Sequence, residues 1–226
     1  MKMRINNKGW RTLLAVLTLL PIVELLGAIM VLPDTVAVHW GIDGTPDRYG
    51  SRFELLIPTA IILLVGGIFW FQNKKPQPKG ARAGGIGALL LFNIVVPMLL
   101  YVTFRPQVNL LSFSFGKVVC GLMSAVILVV GNYLPKVSWE YRLKQYGFRT
   151  RYSLVNEQIW DRTQRFAGYS STAAGIVGIV AAIFLEDFPC LLVMIGALLL
   201  SQIAAWLYSR RLWKNLEERK ENIRQK

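Results

Sequence analysis

The apolar residues of this chain come in long blocks. Six blocks of about 18–22 residues, the length that crosses a hydrocarbon core, fall at 12–32, 53–72, 84–104, 115–134, 167–185 and 188–208. A helix is the element that satisfies its own backbone groups in lipid. The pattern therefore predicts an all-α integral membrane protein with six transmembrane helices and little length left for a soluble core. The first block, Leu13 to Leu32, is longer than a signal-peptide core and has no small-x-small cleavage site after it, so it reads as a retained anchor. The connection "EDFP" is so short that the last two spans form an antiparallel hairpin, and the tail "SRRLWKNLEERKENIRQK" reads as a continuation of the sixth helix. The chain divides into an N-terminal two-helix unit, 1–83, and a four-helix unit, 84–226.

Two polar stretches carry patterns of their own. In "TVAVHW", Val36, Val38 and Trp40 alternate with Thr35, Ala37 and His39, a short strand with one apolar face. "IDGTPDRYGS" follows with Asp43-Gly44, Pro46-Asp47 and Gly50, several turn signals in ten residues. The loop 33–52 is thus expected to fold back as a compact cap. In the longest polar segment, 135–166, "SLVNEQIWDRTQRFAG" reads as an amphipathic helix. Ser153 is its candidate N-cap and Val155, Ile159 and Phe166 its apolar side. This helix is either an interfacial one holding anionic lipid through Arg162 and Arg165 or a docking surface for an acidic partner.

Charge fixes the expected orientation. The net charge of +13 looks at first like a nucleic-acid signal. With the N-terminus inside, however, Lys and Arg number 4 in 1–11, 4 in 73–83, 7 in 135–166 and 7 in 209–226. That is 22 on the cytoplasmic side, against Arg48, Arg52, Arg105 and Lys117 outside. Such a split follows the positive-inside rule, so both termini are expected in the cytoplasm, 33–52 outside, and no direct nucleic-acid binding.

Polar groups within the spans are few. Glu24 lies near the middle of the first and Asn93 near the middle of the third, placed so that the two can meet. A mid-membrane carboxylate is costly, at roughly 2.5–3.5 kcal/mol even on insertion scales. Glu24 is read either as a proton or ligand site of a small transporter or as a neutral structural acid. Ala174, Gly178 and Ala182, with Ser171 and Gly175, place small residues four apart in the fifth span, for close packing within the chain or at a dimer seam. Cys120 and Cys190 lie in spans and read as apolar-facing residues or an inter-span disulfide.

Enzyme chemistry finds no constellation. The single histidine, His39, excludes His-His metal motifs, and there is no H-E-x-x-H, G-x-S-x-G or Walker loop. His39 with Asp34, Asp43 and Asp47 is a weak cation pattern, since Asp-Gly and Pro-Asp are ordinary turn chemistry. No metal and no cofactor is expected.

Both polar stretches resemble one family, the SdpI-type membrane immunity proteins of bacteria. The outer loop is similar to that family's N-terminal domain of unknown function at Leu32, Pro33, Asp34, Val36, His39, Trp40, Gly44, Pro46 and Asp47, with Gly41 where Asn is usual. The second stretch is similar to the family signature at 131–136 ("GNYLPK") and at Gly147, Arg149, Thr150, Leu154, Glu157, Trp160, Arg162, Thr163 and Gly168. It departs at Arg151, Tyr152 and Ser153, which replace Pro-Trp-Thr, at Gln164, which replaces His, and at Glu140, where Asn is common. The resemblance implies a multi-pass protein of the bacterial plasma membrane that protects against a secreted membrane-active peptide toxin. It also implies a linked role in holding a transcriptional repressor at the membrane. The implied recognition residues are Asp34, His39, Trp40 and Asp47 outside, and Asn132, Arg149, Thr150, Trp160 and Arg162 inside. The alternative function is a small proton- or ion-coupled transporter using Glu24 and Asn93.

Overall fold

The computed structural model describes residues 7–41, 43–73, 81–110, 114–144 and 146–225, with backbone alone at 7, 8 and 83. Its order is α1 (Asn7–Val31), β1 (Thr35–Trp40), β2 (Pro46–Ser51), a 3-10 turn (Arg52–Leu55), α2 (Leu56–Gln72), α3 (Ala81–Phe104), α4 (Phe115–Tyr133), two further 3-10 turns (Leu134–Lys136 and Trp139–Tyr141), α5 (Glu157–Phe184) and α6 (Asp187–Arg224). Each of the six apolar blocks has become a helix long and apolar enough to cross a membrane. The basic linker 73–83 lies largely outside the described residues.

Large apolar side chains cover the outside of these helices. Val23, Met30, Leu64, Ile183, Phe184 and Leu200 are all well exposed. In water such a surface would drive aggregation. Against acyl chains it has no such cost, so the chain is a multi-pass membrane protein.

Two local expectations are corrected. The amphipathic stretch in 135–166 is not a separate helix: α5 begins at Glu157 and runs unbroken through the fifth span. Ser153 does not cap it. Asn156 does, its side chain accepting from the Gln158 amide at 2.7 Å. The Ser153 hydroxyl is instead committed to a turn with Thr150. Val155 falls outside the helix and is exposed, whereas Ile159 is buried.

Packing groups the chain into two compact units. The first comprises residues 1–76, 85–119 and 186–188. Its core joins Ile22, Leu25 and Ala28 of α1, Ile62 of α2 and Val96 and Leu100 of α3, with Val36 of β1 and Leu55 reaching in from the loop. A second cluster sets Leu14 and Leu17 against Leu89. The approach of α1 and α2 is close enough that a side chain at Gly66 would collide with Thr18. At the start of α4, the buried Asp187 carboxylate accepts from the Gly116 and Lys117 amides, each at 3.2 Å. It supplies acceptors that a helix N-terminus lacks.

The second unit comprises residues 77–84, 120–185 and 189–226. Here α5 and α6 run antiparallel. Gln202 donates to Ser171, Ser170 to the Ser201 carbonyl, and Phe166 stacks on Tyr208 with centroids 4.4 Å apart. The small residues of α5 serve packing within the chain. A Cβ on Gly175 would meet the Ser124 carbonyl at 2.9 Å and the Leu128 amide at 3.0 Å on α4, and one on Gly178 would collide with the Ser124 hydroxyl. The thiols Cys120 and Cys190 are buried in one apolar cluster with Ile127, Ala181 and Met194. The Cys120 thiol donates to the Gly178 and Cys190 carbonyls at 3.5 and 3.4 Å.

Candidate functional site

Loop 33–52 is an ordered antiparallel hairpin. Thr35 pairs with Ser51, Val36 with Gly50 and Ala37 with Tyr49, after which irregularities shift the register so that His39 faces Arg48 and Trp40 faces Pro46. A bulge of this kind re-aims side chains and sharpens twist. Ala37, expected on the polar face, is buried along with Val36. The turn is built from local chemistry. Asp43 accepts from the Thr45 amide at 3.1 Å and its hydroxyl at 2.7 Å, and Gly44 takes a positive φ of 74°. The Thr45 bonds hold the Asp43 carboxyl below the usual carboxylate range. The turn is tied down from outside as well, since the Leu110 amide donates to the Gly44 carbonyl and the Asn109 amide group to the Asp43 carbonyl, both at 2.9 Å.

The four residues singled out in this loop do not form one cluster. His39 Nδ1 and Asp47 Oδ1 lie 2.6 Å apart on the exposed side. Asp34 pairs instead with Arg52, at 3.2 Å. Arg52 also donates to the Leu32 carbonyl at 2.7 Å, and its own amide donates to the Asp34 carbonyl. Arg52 thus fastens the hairpin's end to the top of α1. Trp40 takes a third place, on the wall of a cavity of about 240 Å³ beneath the hairpin. Its indole nitrogen is buried and has no acceptor. Val38, Leu55, Ile57 and Leu99 supply apolar wall, and Thr103, Arg48 and Glu54 the remaining polar groups. Arg48 and Glu54 form a bidentate pair, at 2.9 and 3.3 Å. Sequence reading passed over Arg48, Arg52 and Glu54 as site elements. For the two arginines the signal was the rarity of basic residues outside the segments 1–11, 73–83, 135–166 and 209–226.

Glu24 and Asn93 do not meet. Both Asn93 side-chain N–H groups are committed to backbone, at 2.8 Å to the Leu17 and Leu89 carbonyls, which ties α3 to α1. Leu17 and Glu24 are seven residues apart on α1, about 10 Å along the axis. One oxygen of Glu24 is buried without a partner.

In the second unit the signature residues divide into an inner and an outer set. Trp160 is fully buried, donates from Nε1 to the Val137 carbonyl at 2.8 Å and packs edge-on against Trp139. Thr150 is buried too, its hydroxyl 2.7 Å from that of Ser209 on α6 and accepting from the Ser153 amide at 2.9 Å. Arg149, Arg162 and Asn132 are exposed. Asn132 accepts from Lys136 at 3.3 Å, and Arg162 lines a shallow polar cleft of about 130 Å³ with Asn156, Asn215 and Arg219. Of the departures from the family pattern in this stretch, Tyr152, Ser153 and Gln164 lie among the inner set, whereas Arg151 and Glu140 are exposed. Gln164 bridges both backbone groups of Phe148 at 2.8 Å. Ser153 is fully buried, and the buried Tyr152 packs between Trp206 and Trp213. Nearby, burial and the neighbouring Tyr141 push the Tyr146 phenol up from its ordinary value.

Six apolar helices with lipid-facing surfaces define a polytopic membrane protein. Residues 143–209 match the SdpI/YfhL protein family, and residues 16–63 match DUF1648, a domain of unknown function. Over 190 residues, 82% of this chain and 86% of the relative, the chain is 23% identical to a Bacillus subtilis protein called immunity protein SdpI. It is also 43% identical over 54 residues to an uncharacterized protein of Archaeoglobus fulgidus, a match covering 20% of this chain and 30% of that protein. No solved structure matches the chain. The two family matches and the relative aligned along most of the chain support a likeness to the SdpI-type family. Residues 131–136 fall outside both matched ranges.

Proposed function

We propose that this protein confers protection against a secreted, membrane-active peptide toxin and holds a transcriptional repressor at the membrane in response. The observation that carries the reading is the similarity to immunity protein SdpI along 82% of the chain. The orientation that goes with it has both termini inside and the hairpin outside, supported by the 22-to-4 division of basic residues. His39, Asp47, Trp40 and Asp34 then belong to the toxin side, and the exposed Arg149, Arg162 and Asn132 to the cytosolic partner. Thr150 and Trp160 hold the cytosolic surface in shape.

The experiment is a toxin challenge. A sensitive host expressing the protein, with membrane insertion verified, survives a membrane-active peptide that kills the empty-vector strain. Equal killing of the two strains overturns the reading. The second reading, a proton- or ion-coupled transporter, is favoured by the buried, unpartnered oxygen of Glu24. It requires pH-driven flux in proteoliposomes that Glu24→Gln abolishes. The Asn93 bonds to two backbone carbonyls favour a structural role for that residue.

A further inference from the structure

We infer that the cleft between the first turns of α5 and the part of α6 beyond its apolar block takes one glutamate side chain from a soluble peptide of the cytosolic partner. The inference rests on the cytosolic half of the proposed function and names the chemistry by which that partner is held.

The cleft is lined by charge of one sign. Arg162 and Arg219 share it with the side-chain amides of Asn156, Gln158 and Asn215. Among the described residues neither arginine forms an ion pair. Helical rotation is the reason. Glu157 and Asp161 on α5, and Glu217, Glu218 and Glu221 on α6, lie about 100° or more round their helices from the residues that face the cleft. Two like charges in one cleft repel, and an anion between them replaces that repulsion with two attractions. The tail 209–226 has seven basic residues to three acidic ones, so its field draws such a group in.

Size and floor select the kind of anion. At about 130 Å³ the cleft is well below the roughly 300–1,000 Å³ of sites that enclose a whole small ligand. It takes one functional group. Ile159 is buried and Leu212 and Leu216 half-buried, so they make an apolar floor under the exposed rim of Gln158, Arg162, Asn215 and Arg219. A glutamate side chain matches both parts. Its methylenes lie on the floor, and its carboxylate fits the guanidinium fork. Inorganic phosphate has no apolar part to bury there.

Height above the bilayer separates a peptide from a lipid headgroup. Arg162 stands five residues before Ala167, where the block 167–185 opens, and Arg219 eleven residues after Tyr208, where the block 188–208 closes. Those offsets are about 7.5 and 16.5 Å along upright helices. The headgroup layer is only about 5–7 Å deep on each side. A lipid phosphate comes within reach of Arg162 and falls short of Arg219. A peptide in water reaches both.

The test uses the full chain with isotope-labelled arginine in phosphatidylcholine nanodiscs. The side-chain Nε signals are assigned with Arg162→Lys and Arg219→Lys. The probes are N-acetyl-Ala-Ala-Glu-Ala-Ala-amide, its Gln counterpart and inorganic phosphate, and a second set of nanodiscs contains phosphatidylglycerol. The Glu peptide is expected to shift Arg162 and Arg219 together and saturably, with the Gln peptide and phosphate at least about ten-fold weaker. Arg219→Gln is expected to weaken the shift of Arg162 by a similar factor, with the other arginine signals in place. No shift, equal shifts from the Glu and Gln peptides, phosphate binding as tightly as the Glu peptide, or a phosphatidylglycerol shift of both arginines that the Glu peptide does not displace overturns the inference. Toxin challenge separates the two readings. Peptide binding in a chain that gives no protection removes the toxin reading and leaves the glutamate site. Protection with both arginines unmoved removes the glutamate site and leaves the toxin reading.

Discussion

Gln164 and Phe148 exchange two hydrogen bonds: the glutamine oxygen accepts from the Phe148 amide and its nitrogen donates to the Phe148 carbonyl, both at 2.8 Å. A side chain on α5 thereby imitates a neighbouring strand and fixes the loop before it. Gln164→Ala orphans both backbone groups, and each buried unsatisfied group costs about 1–3 kcal/mol. The expected result is a clear drop in the unfolding midpoint in bicelles. An unchanged midpoint would show that water replaces the glutamine without loss.

Gly147 sits beside this bridge with φ of +83°, a conformation that side chains resist. An added Cβ would also lie 2.7 Å from the Gln164 oxygen and 3.0 Å from the Trp160 ring. Gly147→Ala is therefore expected to destabilise by about 1–3 kcal/mol and to disturb the Trp160 fluorescence. A wild-type spectrum and midpoint together contradict the strain argument.

Gly175 lies against backbone of α4, which yields less readily than a side chain. Gly175→Ala is expected to lower the unfolding midpoint, while Gly27→Ala, where nothing lies within 4 Å, leaves it unchanged or higher. Equal effects of the two substitutions would remove the close α4–α5 contact from the account.

Hydropathy made the helices legible, because six crossings need six long apolar blocks and lipid tolerates little else. The hairpin was legible from the alternation in "TVAVHW" and its turn residues. Two kinds of information were hidden. A helix that continues past the membrane surface carries no apolar boundary signal there, so α5 was read as two pieces. The partners of Asp34, Asn93 and Gln164 are backbone groups or distant residues such as Arg52, and sequence spacing does not encode such contacts. Residues matched to a family pattern are likewise not sorted by it into buried and exposed. Trp160 and Arg162 look alike on that basis and lie on opposite sides of the helix surface.

The hairpin turn has a predictable acid response. Asp43 titrates lower in the folded turn than its ordinary 3.8 because Thr45 bonds its charged form. The contribution is fully present above the unfolded value and is lost as pH falls through the lower folded one. The Thr45 amide resonance is expected to titrate with a midpoint below 3.8, and Asp43→Asn to abolish that transition. A midpoint at or above the ordinary value contradicts the assignment.

His39 and Arg149 are exposed, so their loss says more about function than about folding. The His39–Asp47 contact is a surface pair, worth at most about 1 kcal/mol. His39→Ala and Arg149→Ala are expected to insert normally and to unfold within about 0.5 kcal/mol of wild type, yet to impair toxin protection. Full protection by both variants would confine these residues to a structural role.

Helix α6 runs for 38 residues without a break, and its only proline, Pro189, sits in the first turn. At 1.5 Å per residue it is about 57 Å long, against a hydrocarbon thickness of about 30 Å. Nearly half of it must stand clear of the acyl chains. It is therefore a lever: a tilt of about 10° at a fixed end carries the far end sideways by about 10 Å. With no hinge along the rod to absorb rotation, a change in how its buried half is seated becomes a displacement of the charged arm.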